Sequence, residues 1–140
     1  MTFSGYRLMN NACDEYNYLT FNQPLVTWDL SRVTSMSKMF GCYKRNDDYR
    51  KFSFQQPLEW NTGSLQTTEG MFSENYVFNN PLQKLNVIQV RTMKSMFQYA
   101  QKFNHFLSTW DTRRVENMAS MFHGAWRFDQ PIQAWDVHVS

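Results

Sequence analysis

Five short polar side chains stand in one register of this chain: Asp29, Asn61, Asn86, Asp111 and Asp136, each directly after a Trp or, once, after Leu85. Carboxylates at a constant interval are the arrangement here with the charge to hold a hard cation. Two of the five are Asn, which weakens that chemistry. Asn and Asp share the ability to accept a backbone amide two residues on, so closing a turn is the favoured reading. The competing reading is a polar stripe that grips a protein or a sugar, and in it Asn86, Asp111 and Arg113 are partner-binding residues.

No other constellation suggests catalysis. His105, His123 and His138 fall in different registers and do not converge. There is no Ser-His-Asp or Cys-x-x-Cys arrangement, and the five glycines form no phosphate loop. The expectation is therefore a non-enzyme without cofactor or metal. Cys13 and Cys42 are too few for a disulfide framework, and two free thiols in a reducing compartment are favoured over one bridge. The net charge of +2 is mixed in sign, and Arg32, Arg91, Lys94, Arg113 and Arg114 are accompanied by acids. No aromatic is left over to stack bases, so no nucleic-acid partner is expected. No apolar run reaches membrane-spanning length, and the first ten residues lack the apolar stretch of a signal peptide. An intracellular or particle-associated (virion) location is expected over secretion.

The polar register belongs to a repeat. Units open at Phe21, Phe54, Phe78, Phe103 and Phe128, and close at Met39-Phe40, Met71-Phe72, Met96-Phe97 and Met121-Phe122. Nine of the twelve Phe lie at these anchors and seven of the nine Met in the Met-x-x-Met-Phe segment or its relic, which marks the aromatic excess of 17% as a core inventory. A period of about 25 residues describes one unit that buries its apolar face only by stacking on its neighbours.

Within a unit, Val33, Met36, Met39 and Phe40 share the spacing of one helix face, as do Val90, Met93, Met96 and Phe97, and Val115, Met118, Met121 and Phe122. Leu25-x-x-Trp28-x-Leu30 and its copies read as the strand of a leucine-rich repeat. The predicted fold class is α/β: a leucine-rich-repeat-like solenoid of about five coils of about 25 residues, each a short parallel strand plus a short helix. Residues 1–20 read as an N-terminal cap or degenerate coil, and 21–140 as the repeat solenoid.

Two irregularities attract function. Eight extra residues lie between Phe40 and Phe54, predicting an insertion loop at 41–53 that carries Tyr43, Lys44, Arg45, Tyr49 and Arg50. Tyr and Arg are favoured interface residues, and insertions in repeat proteins often bind partners. The other reading is a solvated loop. At the far end the fifth unit stops after its expected strand, and Trp135 and His138 are expected to meet a partner or a second copy there.

The motif Phe-Asn-Gln-Pro-Leu-x-x-Trp-Asp-x-Ser-x-Val-Thr-x-Met-x-x-Met-Phe, from Phe21 to Phe40, resembles the repeat of the BspA-like leucine-rich-repeat surface proteins, known from mycoplasma, other bacteria, protists and large DNA viruses. The likeness covers residues 21–140. It implies a leucine-rich-repeat-like solenoid, surface display and adhesive or protein–protein contact, with no catalytic residues. The expected function is a non-enzymatic structural component of a larger assembly such as a virion or other particle, mediating protein–protein contacts. The alternative is a recognition or adhesion module that binds a host protein or glycan.

Overall fold

A computed structural model describes residues 22–41 and 54–136, and the spacing of their apolar residues explains the path of the backbone. Leu25, Leu30, Val33, Met36, Met39 and Phe40 are buried, and they sit mostly three apart. That interval is the span of a β-turn, and hydrogen bonds close such turns at Leu25–Trp28, Leu30–Val33 and Met36–Met39. Later copies repeat them: Leu82–Leu85, Val87–Val90, Met93–Met96 and Phe97–Ala100, then Leu107–Trp110, Thr112–Val115, Met118–Met121 and Phe122–Ala125. The chain is thus a pile of tiers, each a succession of reverse turns. We number them 22–41, 54–77, 78–102, 103–127 and 128–136.

The expected α/β, leucine-rich-repeat-like solenoid of strand-plus-helix coils is not what forms. Among the described residues there is no helix, and parallel pairing is reduced to isolated bridges joining Ser35, Thr67, Thr92 and Asn117. The Leu-x-x-Trp segment expected as strand is a turn. The Met-x-x-Met-Phe segment expected as helix gives its amides to the next tier instead. Met36, Lys38 and Phe40 donate to the carbonyls of Thr67, Glu69 and Met71 at 3.0, 2.9 and 2.8 Å. Thr68, Gly70, Phe72 and Glu74 donate to Thr92, Lys94, Met96 and Gln98, and Met93, Ser95, Phe97 and Tyr99 repeat the pattern one tier on.

The turns along this segment bring a positive φ at every fourth residue. Positive φ occurs at the third turn position in Lys38, Gly70, Ser95 and Ser120, and again at Glu74, Tyr99 and Gly124. Five of these seven carry a Cβ, at about 1 kcal/mol of strain each. The junctions among the first four tiers return five, five and six backbone hydrogen bonds, worth about 1 kcal/mol apiece, so the inter-tier ladder wins.

The core is layered by residue type. Phe40, Phe72, Phe97 and Phe122 stack at 5.6, 5.6 and 5.5 Å between centroids. Each also stacks on the Phe that opens the next tier, Phe54, Phe78, Phe103 or Phe128, at 4.0, 4.1, 4.2 and 4.0 Å. Eight rings form one spine, and such pairs add about 0.5–1.5 kcal/mol each beyond burial. The tryptophans carry a polar function inside: the indoles of Trp60, Trp110 and Trp135 donate to the carbonyls of Leu25, Leu82 and Leu107 in the preceding tier.

Candidate functional site

The Asx register does structural work. Asp29, Asn61, Asn86 and Asp111 accept the amides of Ser31, Gly63, Ile88 and Arg113, two residues on in every case. Asp111 is committed further, because the Arg113 guanidinium donates to it at 2.9 and 2.6 Å. That side-chain bond, together with the Arg113 amide, lowers the Asp111 carboxyl from 3.8 to about 2. The Asp29 carboxyl is lowered by its side-chain and backbone bonds to Ser31. A second ladder runs along the tier openings, where the amides of Gln55, Asn104 and Asp129 donate to the side-chain carbonyls of Asn22, Asn79 and Asn104. Asn80 reaches back to the Gln55 carbonyl. Among the described residues, no three His, Cys, Asp or Glu approach closely enough to hold a metal ion.

The sequence-predicted partner residues do not converge. Asn86 serves its own turn, and its backbone exchanges bonds with the Thr62 hydroxyl. Asp111 and Arg113 are paired to each other. Trp135 belongs to the core, stacked on Trp110 at 6.1 Å, with its indole bonded inward. Tyr43, Lys44, Arg45, Tyr49, Arg50 and His138 lie outside the described residues, as do the N-terminal cap and the two cysteines.

What the structure does assemble is the corner from which residues 41–53 depart. The third and fourth tiers round this corner with a Phe-x-x-Ala turn, at Ala100 and Ala125. The second tier places Asn75 there instead, fully buried. Its side-chain nitrogen donates to the carbonyls of Phe40 and Phe54, both at 3.3 Å, which are the residues flanking the insertion. Its oxygen accepts the amides of Val77 and Phe78 at 3.3 and 3.0 Å. One carboxamide therefore clamps both stems, while the Phe40 and Phe54 rings stack face to face. Gly41 is required beside them: a Cβ would stand 2.4 Å from the Gly70 carbonyl oxygen. The Ser73 hydroxyl is buried here without a hydrogen-bond partner.

The outer surface of the same corner is aromatic and basic. Tyr76 and Tyr99 are half-buried, and Trp126 is 76% exposed. The Tyr99 hydroxyl meets His123 Nε2 at 3.2 Å, and its ring lies against Gly124, where a Cβ would meet it at 2.2 Å. Lys102 and Arg127 are exposed alongside. Sequence reasoning singled out the insertion but missed Asn75. Its signal was a polar residue in a column otherwise occupied by Ala, one tier below the extra residues.

A family model described as "Mycoplasma protein of unknown function, DUF285" matches residues 7–59 and 47–140. No curated protein and no solved structure matches the chain.

Proposed function

Given that the chain belongs to this Mycoplasma family of unknown function, DUF285, which hands on no activity, we propose that it is a non-enzymatic protein-contact module of a larger assembly, working through the insertion corner. The observation that carries this reading is the Asn75 clamp. A tolerated insertion needs no buried carboxamide to fix both of its stems, whereas a binding segment gains affinity when its base is ordered beforehand. The neighbouring Tyr, Trp and Arg side chains are the types that dominate binding energy at protein interfaces. Asp29, Asn61, Asn86 and Asp111, the polar column that suggested chemistry in the sequence, close turns. The likeness of the Phe21–Phe40 motif to BspA-like surface proteins points the same way.

The test is the size of the native complex. In extracts of the cells that make it, the chain should migrate well above its 16.8 kDa. Trp126→Ser and Tyr99→Ser should shift it to free protein while circular dichroism stays unchanged, and Gln83→Ala on another face should not. Wild-type chain that migrates as a free monomer, or equal dissociation by all three substitutions, overturns the proposal.

A further inference from the structure

On the Asx-turn edge, away from the insertion corner, three tiers border an open depression of about 400 Å³ lined by Arg32, Thr34, Gly63, Ser64, Gln66 and Gln89. Its origin is a local change of side-chain size. At the second and third positions after each Asx residue, the tiers carry Ser31-Arg32, Gly63-Ser64, Ile88-Gln89 and Arg113-Arg114. The second tier is the small one, so a notch opens between Arg32 on one side and Gln89 on the other. Ser64 is held low in it by donating its hydroxyl to the Ser31 carbonyl at 2.7 Å.

The notch is unbalanced in hydrogen bonding. Arg32 brings five donors, and no carboxylate lines the cavity. Asp29, in the first tier beside it, accepts the Ser31 amide and is not among the lining residues. The Gln89 side-chain oxygen accepts from Arg114 at 2.8 Å, which leaves the donor end of its amide for the notch. Gln66 adds a second amide, and Thr34 and Ser64 add hydroxyls. No aromatic ring forms a wall. A donor-rich, cationic, hydroxyl-lined recess of this volume suits a small ligand rich in acceptors.

We propose that this notch binds a hydroxylated carboxylate, a sugar acid being the simplest member of the class. The ligand carboxylate pairs with the Arg32 guanidinium, whose planar fork matches it in a bidentate contact. The ligand hydroxyls exchange hydrogen bonds with Gln66, Gln89 and Thr34. The proposal is independent of the insertion corner, because the two surfaces share no residue.

The experiment is an amide chemical-shift titration of the full chain with D-glucuronate, D-glucose and acetate as probes. Glucuronate should move the amides of Gly63, Ser64 and Gln66 saturably, with much weaker responses to glucose and to acetate. Arg32→Gln should weaken glucuronate about ten-fold, as expected for loss of a charge-assisted contact. Arg127→Gln should leave it unchanged. Ser64→Leu fills the notch with an apolar side chain that offers no contact to a carboxylate, and should abolish binding with the fold intact. Absence of saturable shifts at the notch, glucuronate binding that survives Ser64→Leu in a folded protein, or equal affinity for acetate overturns the assignment.

Discussion

Replacing Asn75 with Ala isolates the clamp from the packing around it. The substitution is sterically benign, since Ala100 and Ala125 occupy the same corner one and two tiers on. What it removes is four hydrogen bonds: two to the carbonyls of Phe40 and Phe54, and two from the amides of Val77 and Phe78. Three of the four measure 3.3 Å, toward the long end, so each is rated at about 0.5–1 kcal/mol net rather than the upper limit. Orphaning buried backbone groups adds to this, and water entering the vacated space takes some of it back. The expected loss is about 3 kcal/mol, a large share of the roughly 5–15 kcal/mol that holds a domain of this size. Urea unfolding reads the total. Amide hydrogen exchange reads its location: protection at Val77 and Phe78 should fall on the order of 100-fold, while Phe97 and Tyr99, in the third tier and bonded onward to the fourth, change far less. A loss below about 1 kcal/mol, or an exchange increase spread evenly over the tiers, would refute the clamp.

Three further outcomes test the tier construction. Ser120, exposed with φ 56°, should be replaced by Gly with a gain of about 0.5 kcal/mol, whereas Ala119→Gly next to it should lose a similar amount; equal signs in denaturant melts would contradict the turn geometry. Trp110→Phe removes the indole donor from the buried Leu82 carbonyl and should cost about 2 kcal/mol, measured the same way. Asp111 should titrate near pH 2 by carbon-detected NMR, below its ordinary 3.8, and Arg113→Ala should move the midpoint upward but not fully back, because the backbone bond remains. Since its folded-state value is depressed, the Asp111 contribution to stability is present above about pH 4 and disappears as pH falls through 2.

The inward positions were legible in the sequence, but the local geometry was not. Val33, Met36, Met39 and Phe40 do face the core, as their spacing suggests. The error lay in taking a three-residue interval for helical pitch. A succession of β-turns places every third side chain inward as well, and the two structures differ in where the amides go. Met39 closes a turn on Met36, while Phe40 donates across to Met71, a residue 31 positions away whose proximity no local pattern discloses. A weaker signal was available in the residues between the apolar ones. Ser37-Lys38, Glu69-Gly70, Lys94-Ser95 and Ala119-Ser120 place Gly in one of the four third positions, and Gly124 repeats the sign four residues later. Glycine recurring where a helix would run is expensive, and it marks positive φ more readily than helix. The Asx column was readable because its chemistry is local: the acceptor and its amide lie two residues apart.

The site of the insertion follows from the same hydrogen-bond logic. Two ladders hold the first tier to the second, one ending at Phe40, which donates to Met71, and the other beginning at Asn22, which accepts from Gln55. Extra residues placed within either ladder would throw every later amide out of register with its carbonyl. Between Phe40 and Phe54 they fall after one ladder and before the other, so both remain paired with partners of the correct type. The corner is therefore the place where this architecture accepts new chain at the least structural cost, and that alone would explain a neutral insertion. It does not explain Asn75, because the Phe40–Phe54 stack is reproduced at the other corners, where Phe72–Phe78, Phe97–Phe103 and Phe122–Phe128 close at similar distances without any such loop. The corners at Phe97–Phe103 and Phe122–Phe128 manage with Ala, so the carboxamide is an addition at the junction whose sequence carries the extra residues. A group that orders the stems beyond what stacking needs is the mark of a segment whose position matters.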